Sequence, residues 1–288
     1  MNMVSCWSSK NTIMDIKIVS NKIITDNKTI NIVFDFICCL CDKLKFSHEN
    51  IYKIIFADEA CYGSEIIKVD PDEGYTNTFE GKGFGKTIYI NNIDKSIIII
   101  RIEIFQLLIK TINENSFSKL EYQIATFTIL HEIGHCITHS KQKTSIKCNA
   151  NSLKIDEIPY YYFSIIIDEF IANRNIITFI NKEWVLYELK NGHLENFILL
   201  SKNILNFRDI IFIQNIWHFF KRFMDIGVFL IDIDLSEYIS YIDLLELPFD
   251  IKTIITYFTF YNKGLLSEIE LFNSLSLIVN NILDKLYK

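Results

Sequence analysis

The sequence predicts an α+β fold, with a small sheet and helices first and a largely helical C-terminal part after them. Half of the 288 residues are hydrophobic and 14% are aromatic, which provides for a buried core and disfavours disorder. Only nine glycines and three prolines interrupt the chain, so long helices are favoured. Short alternating or β-branched runs in the first hundred residues add strands. The length suits one large domain or two modest ones.

The N-terminal part is interpreted as strands around one helix. Residues 14–25 alternate loosely between apolar and polar side chains and predict a strand or hairpin. Residues 29–44 have the apolar periodicity of an amphipathic helix. Apolar runs at residues 52–57 and 65–69 predict further strands, and residues 87–91 predict an edge strand.

Helices are predicted for most of the remaining chain. One runs from residue 94 or 96 to about residue 113. Residues 118–121 have the capping-box pattern Ser-x-x-Glu, which starts the next helix. A proline opens a third helix over residues 159–180. Residues 183–288 are predicted to be mostly helical, with breaks near residues 191–192, 205–206, 247–248 and 263–264.

Glycines at positions 81, 83 and 85, followed by Lys86 and Thr87, imitate the end of a phosphate-binding loop. The match fails because Glu80 stands where the first required glycine belongs, and because a strand rather than a helix follows. We interpret this segment as a flexible loop that enters the edge strand, and we exclude nucleotide binding.

The strongest functional signal is the pattern His-Glu-x-x-His at residues 131–135, inside an apolar run with helical periodicity. Positions i and i+4 share one helix face, so His131 and His135 can direct two imidazoles at one zinc ion. Glu132 can then act as general base on the water that the zinc activates. The alternative is two ordinary histidines on a helix surface. His139, one turn further on, fits a group that supports the site or, more simply, a surface residue at the helix end.

A catalytic zinc site needs a third protein ligand. Asp168 and Glu169 are adjacent acids inside the apolar helix predicted over residues 159–180, where a buried carboxylate is costly unless it is paired or bound to metal. They lie about 100° apart around the helix axis, so one helix orientation cannot point both at the same ion. We predict that Asp168 faces solvent and that Glu169, with its longer reach, binds the metal.

With these residues the chain resembles the gluzincin metallopeptidases over roughly residues 85–180. The order of edge strand, backing helix, active-site helix and glutamate helix is similar to that of the ImmA/IrrE-type proteins. The resemblance implies a zincin-like core with a small antiparallel or mixed sheet. It also implies that His131, His135 and Glu169 bind zinc. Asn173 holds the place, four residues after that glutamate, where an Asp or Asn commonly supports a ligand histidine in this family.

The function that this resemblance implies is a zinc-dependent metallopeptidase in which Glu132 is the general base and a peptide or protein is the substrate. The chain then divides into an N-terminal α/β segment (1–85), a zincin core (86–181) and a helical subdomain (182–288). The rival hypothesis is a non-catalytic regulatory or interaction protein that keeps a zinc-organised core. A donor to the reaction's oxyanion is also expected. The candidates for this donor are Tyr160, Tyr161, Tyr162, His193 and His218.

The net charge, the apolar runs and the cysteines indicate which classes of binding partner and which cellular compartment to expect. The net charge of −6 does not indicate a nucleic-acid-binding face. No signal-peptide pattern is visible in the first twenty residues, and the apolar run at 97–100 is too short for a membrane span. Seven cysteines without regular spacing suit a reducing, cytoplasmic location. The cluster of Cys38, Cys39 and Cys41 is interpreted as buried thiols rather than as a metal or redox site.

Overall fold

The structure is a computed structural model of the 288-residue chain. The residues that it describes are 14–21, 23, 25–71, 83–117, 120–142, 157–181, 217, 220 and 250–286. The fold divides into two compact units, residues 1–150 and residues 151–288. In the described ranges these units contain seven α-helices and one four-stranded mixed sheet, which confirms the α+β prediction in its general form.

A four-stranded sheet forms the centre of the first unit. Its strands are β1 (Asp15–Val19), β2 (Ile51–Ala57), β3 (Gly85–Ile90) and β4 (Lys95–Arg101). The order is β1-β2-β4-β3, with β3 antiparallel to β4 at one edge and the other pairs parallel. Strands predicted within residues 14–25, 52–57 and 87–91 are therefore confirmed, the last as an edge strand. Because β1 and β2 share this sheet with β4, strands from both sides of the division predicted at residues 85–86 pair with one another.

The inner strand β4 contradicts one prediction. A single helix was expected from residue 94 or 96 to 113, whereas residues 95–101 form β4 and helix α3 (Ile102–Asn113) begins only after it. All four isoleucines at 97–100 are buried. β-Branched side chains buried on both faces are typical of an inner strand, and this two-sided burial depends on neighbours that are distant in sequence.

A second prediction is wrong at residues 65–69, which belong to helix α2 (Glu59–Val69) and not to a strand. Asp58 caps this helix by accepting a hydrogen bond, at 3.1 Å, from the backbone N–H three residues on. Tyr62 and Ile66, one turn apart, are buried in a cluster with residues of the sheet. The cap and this one-turn spacing are helical signals that outweigh the short apolar run.

Two further helices complete the first unit, α1 (Asn27–Lys43) and α4 (Leu120–Gln142). α1 confirms the helix predicted over residues 29–44, and Asp26 caps it with a hydrogen bond of 2.8 Å to a backbone N–H. α4 packs against α3 and against β3. The capping residue predicted for α4, Ser118, lies outside the described residues. Because α4 runs beside the edge strand, its side chains and those of β3 meet.

The secondary-structure elements that the structure describes in the second unit are all helices. Its helices are α5 (Ile158–Ile176), α6 (Ile251–Asn262) and α7 (Glu268–Leu286). α5 has a proline in its first turn, as predicted. Gly264, with φ of +70°, follows α6 and confirms the predicted break near residues 263–264. The other three predicted breaks fall outside the described residues.

Aromatic side chains make up much of the core of the second unit. Trp217 stacks on Phe272 of α7 with ring centroids 6.1 Å apart. Phe163 of α5 meets the same ring at 5.1 Å, and Phe170 lies 5.5 Å from Phe258 of α6. These contacts join α5 to α6 and α7. Across both units, none of the helices in the described ranges has the length and apolar character needed to cross a bilayer.

Candidate metal centre

Helix α4 carries four aromatic side chains at intervals of one turn: Phe127, His131, His135 and His139. The prediction that the His-Glu-x-x-His pattern lies on a helix is thereby confirmed. Every residue from 128 to 139 except His131 is buried. The stretch is therefore an inner part of the fold, and the alternative of two ordinary histidines on a helix surface does not fit His135.

The imidazoles of His131 and His135 face one another. Their Nε2 atoms lie 3.1 Å apart, and their ring centroids lie 4.7 Å apart with the planes almost perpendicular. On the preceding turn the ring of Phe127 stacks on His131, with centroids 5.9 Å apart and an angle of 29°. This packing restrains the His131 ring, whose Nε2 atom lies close to that of His135.

The separation of these two nitrogens is compatible with a shared metal ion. Two ligand nitrogens that each lie about 2.0–2.1 Å from a tetrahedral zinc are roughly 3.3 Å apart. The observed separation of the two Nε2 atoms is 3.1 Å. Neutral imidazole is also among the preferred zinc ligands. Very little movement of either ring is needed to accept the ion.

The carboxylate of Glu132 lies on the side of α4 that faces the edge strand, and only 4% of this residue is exposed. The hydroxyl of Thr87, on β3, lies within donating distance of the carboxylate atom Oε2 at 2.7 Å and of the Glu132 backbone oxygen at 3.0 Å. At Gly85 an added Cβ would lie 2.4 Å from the other carboxylate oxygen, Oε1. The carboxylate is thus held against the first residues of β3.

Sequence reasoning missed the relation of Gly85 and Thr87 to Glu132. Both residues belong to the segment that imitates a phosphate-binding loop. That comparison considered nucleotide binding and not a contact with Glu132. A more useful signal was available in the predicted edge strand, because a glycine and a threonine on one face of such a strand suit a close neighbour. Thr87 and Gly85 do lie on the same face of β3, two residues apart.

The second unit holds the acids that were considered as a third ligand. On α5, Asp168 and Glu169 are both half-buried, so burial does not distinguish the acid expected to face solvent at the rim from the acid expected to bind the metal. Asn173, one turn beyond Glu169, is 1% exposed. His131, His135 and His139 of α4, and Asp168 and Glu169 of α5, are residues of the types that could hold a metal ion.

His139 is not the surface residue that its place near the helix end suggested. It is 3% exposed, and its ring lies 5.6 Å from that of His135. A buried imidazole is costly unless its polar atoms are satisfied. His139 therefore belongs to the same buried stretch of α4 as Glu132 and His135.

The five candidates for an oxyanion donor differ in exposure and in whether the structure describes them. Tyr160 is largely exposed, and its ring stacks on Phe272 with centroids 4.3 Å apart, which is a packing contact. Tyr161 and Tyr162 are half-buried neighbours on α5. The other two candidates, His193 and His218, lie outside the described residues. The role of an oxyanion donor is therefore unassigned among these five.

The five cysteines in the described residues differ in exposure. Of the predicted buried cluster, Cys41 is buried, whereas Cys38 is half-buried and Cys39 is exposed. Burial raises the pKa of Cys41 above its usual range, and it raises that of Cys136 on α4 to about 12. A thiol with so high a pKa is protonated at neutral pH and unreactive.

We predict that all seven cysteines are free thiols when the protein is made in a reducing cytosol. Five lie in the described residues and are free; Cys6 and Cys148 lie outside them. Thiol titration without reductant should count about seven thiols after denaturation. In the native protein Cys39 should react, whereas Cys41 and Cys136 should not, because both are buried. Several thiols blocked as disulfides after denaturation would contradict the prediction.

Comparison with known proteins adds no assignment to this geometry. No family model, no curated protein and no solved structure matches the chain. The functional argument therefore rests on the residues of α4, β3 and α5 themselves.

Proposed function

We propose that this protein is a zinc-dependent metallopeptidase with a gluzincin-like site in a zincin-like core. The observation that carries the proposal is the geometry of α4, whose His131 and His135 Nε2 atoms lie 3.1 Å apart beside the buried carboxylate of Glu132. Two imidazoles and an adjacent acid on one helix are the parts that a zinc peptidase needs from that helix. The proposed substrate is a peptide or protein.

The proposed zinc ligands are His131, His135 and Glu169, each of a residue type that zinc prefers. Three protein ligands leave a fourth position open, and an open position distinguishes catalytic zinc sites from structural ones. When bound, the zinc would act as a Lewis acid that lowers the pKa of a water and polarises the substrate carbonyl. Asn173 is proposed to support a ligand histidine from α5.

Glu132 is proposed as the general base. It takes a proton from the water that attacks the carbonyl carbon, and it delivers that proton to the nitrogen of the leaving amine. Both steps require a carboxylate that is close, oriented and shielded from bulk water. Its 4% exposure and its contact with Thr87 support this role. A purely structural zinc site has no need of such a base, which argues against the non-catalytic alternative.

The edge position of β3 supports a peptide as the substrate. In the described part of the sheet β3 pairs only with β4, so its outer edge can accept an extended chain by strand addition. Glu132 contacts the same strand through Thr87. A peptide held along β3 would therefore present its backbone near the carboxylate.

The proposal is tested by metal analysis of the purified protein, paired with cleavage profiling on a peptide library. We expect about one zinc ion per chain and cleavage that a chelator abolishes and added zinc restores. Protein that binds no zinc would remove the proposal. Stoichiometric zinc without cleavage across a broad library would instead support a regulatory protein with a zinc-organised core.

The assignment of the third ligand leads to an ordered prediction. Glu169→Ala should strip zinc, because it removes one of three ligands. Asn173→Ala should weaken zinc binding by about 10- to 100-fold, as loss of a group that orients a ligand histidine typically does. Asp168→Ala should change neither zinc content nor affinity. Metal content and competition with a fluorescent chelator measure all three variants.

Asp168→Ala is the matched control in this series, since it removes a neighbouring acid from the same helix. The opposite order, with zinc lost in Asp168→Ala and kept in Glu169→Ala, would identify Asp168 as the third ligand in place of Glu169. Thermal unfolding of each metal-free variant shows whether the fold survives the substitution.

A further inference from the structure

We infer that Thr87 is a positioning residue for Glu132, and that Gly85 is a glycine because the Glu132 carboxylate occupies the space beside it. Thus the start of the edge strand orients the base on α4. This inference deepens the proposed function and rests on it for its catalytic meaning. The contact between Thr87 and Glu132 can be tested without any activity.

The first observation is the contact at Thr87. Its hydroxyl oxygen lies 2.7 Å from Glu132 Oε2 and 3.0 Å from the Glu132 backbone oxygen, and both residues are buried, with exposures of 5% and 4%. A hydroxyl has a single proton to donate, so it serves one acceptor at a time. The carboxylate oxygen is the closer acceptor, and a hydrogen bond to a charged group is the stronger kind. The bond therefore favours one orientation of the glutamate side chain.

The second observation is the space at Gly85. An added Cβ would lie 2.4 Å from Glu132 Oε1, 2.6 Å from Cδ and 2.7 Å from Cγ. These separations are well inside van der Waals contact, so the carboxylate and a Cβ cannot occupy their places together. The atoms in conflict are the far end of a side chain and not backbone. Alanine at this position should therefore move Glu132 while leaving the strand intact.

The third observation explains why the backbone at Gly85 keeps its place. Arg101, at the end of β4, is 1% exposed and donates from Nε to the Gly83 carbonyl at 2.7 Å. Its own backbone N–H donates to the Phe84 carbonyl at 2.9 Å. Its guanidinium lies over the ring of Tyr62, 4.4 Å from the centroid. The residues that lead into β3 are thus hydrogen-bonded to the end of the inner strand. The backbone at Gly85 therefore keeps its position beside the carboxylate.

The catalytic test compares Thr87→Val, which keeps the shape and removes the hydroxyl, with Thr87→Ser, which keeps the hydroxyl. Thr87→Val should lower kcat by about 10- to 100-fold, because a misplaced catalytic group loses rate on this scale. KM and zinc content should stay close to wild type, and the melting temperature should fall by no more than the loss of one buried hydrogen bond causes. Thr87→Ser should restore most of kcat. Wild-type kcat in Thr87→Val, or no recovery in Thr87→Ser, would overturn the inference.

Gly85→Ala tests the second half of the inference. It should fold and bind zinc, yet lose kcat to a similar extent, since its Cβ displaces the base. Thr111→Val is the matched control for Thr87→Val. Thr111 is a buried threonine of α3, and its hydroxyl donates to a carbonyl of its own helix at 2.7 Å. That control should leave kcat unchanged. A Gly85→Ala variant with wild-type kcat would contradict the role of the glycine.

A double-mutant cycle separates this inference from the proposed function. Thr87→Val, Glu132→Ala and the double variant are unfolded with urea in the metal-free state. The two changes should be coupled by about two- to hundredfold in the unfolding equilibrium constant, as expected for residues in direct contact. If no substrate is ever cleaved, coupling in this cycle still supports the positioning contact. Additive effects would refute the contact even if the protein proves to be a peptidase.

Discussion

Glu132→Gln should abolish detectable peptide hydrolysis while zinc remains bound. The substitution replaces the base with a group of the same shape that cannot accept the proton of the attacking water. Removal of a general base typically costs about 10²- to 10⁴-fold in rate. The amide oxygen of the new side chain can still accept a hydrogen bond from Thr87, so the buried contact at 2.7 Å is largely preserved. Steady-state kinetics and metal analysis of the same preparation measure the two halves of the result.

The prediction requires both lost hydrolysis and retained zinc. Lost activity with lost zinc would mean that the variant disturbs the site as a whole, so the role of Glu132 would then be tested in zinc-reconstituted protein. Near-normal turnover by the Glu132→Gln variant with zinc bound would remove Glu132 as the base and, with it, the proposed mechanism. An unchanged melting temperature is the control for folding.

His131→Ala and His135→Ala should each lose zinc, activity and part of the protein's stability. The two Nε2 atoms, 3.1 Å apart, are proposed to share one ion, so neither imidazole alone retains it. Metal binding contributes free energy to the folded state, so its loss should lower the melting temperature. The lowering should be seen relative to the zinc-loaded wild type and should largely vanish against the metal-free wild type. Metal analysis and thermal unfolding in both states measure this.

Two histidine variants complete this experiment. His48→Ala is the matched control, because His48 lies in the same unit and packs on Phe34, with centroids 6.2 Å apart, away from the stripe on α4. It should keep all its zinc. His139→Ala tests whether this histidine is a ligand: zinc retained in the variant supports His131 and His135 as the two histidine ligands. Unchanged zinc in both His131→Ala and His135→Ala would restore the interpretation of two histidines without a metal.

Local spacing along the chain was enough to predict the central parts of this site. Two histidines four residues apart share a face of any helix, and the apolar periodicity around them predicts that helix. Glu132 directly follows His131 in the sequence, so any helix places it next to this pair. The edge strand near residues 87–91 was also predictable, since a short β-branched run after a glycine-rich segment is a local pattern. None of these features requires knowledge of the neighbours.

The predictions from sequence exchanged strand and helix at positions where burial on both faces of the segment determines its secondary structure. The isoleucines at 97–100 continue smoothly into the helical pattern of residues 102–113, and only pairing with β2 and β3 makes them a strand. At residues 65–69 an apolar run of strand character is instead one face of a capped helix. Such choices depend on long-range contacts, which single-sequence periodicity does not contain.

The way in which the base is held depends on packing between distant elements. No local pattern connects Gly85 and Thr87 with Glu132, which lies 45 residues after Thr87 in the chain. Their contact exists because α4 packs against β3, so that one face of the edge strand meets one side of the helix. His139 is likewise buried despite its position near the helix end, and periodicity along α4 does not predict this. Local periodicity can tell which side chains share a face, but the packing of distant elements determines what that face meets.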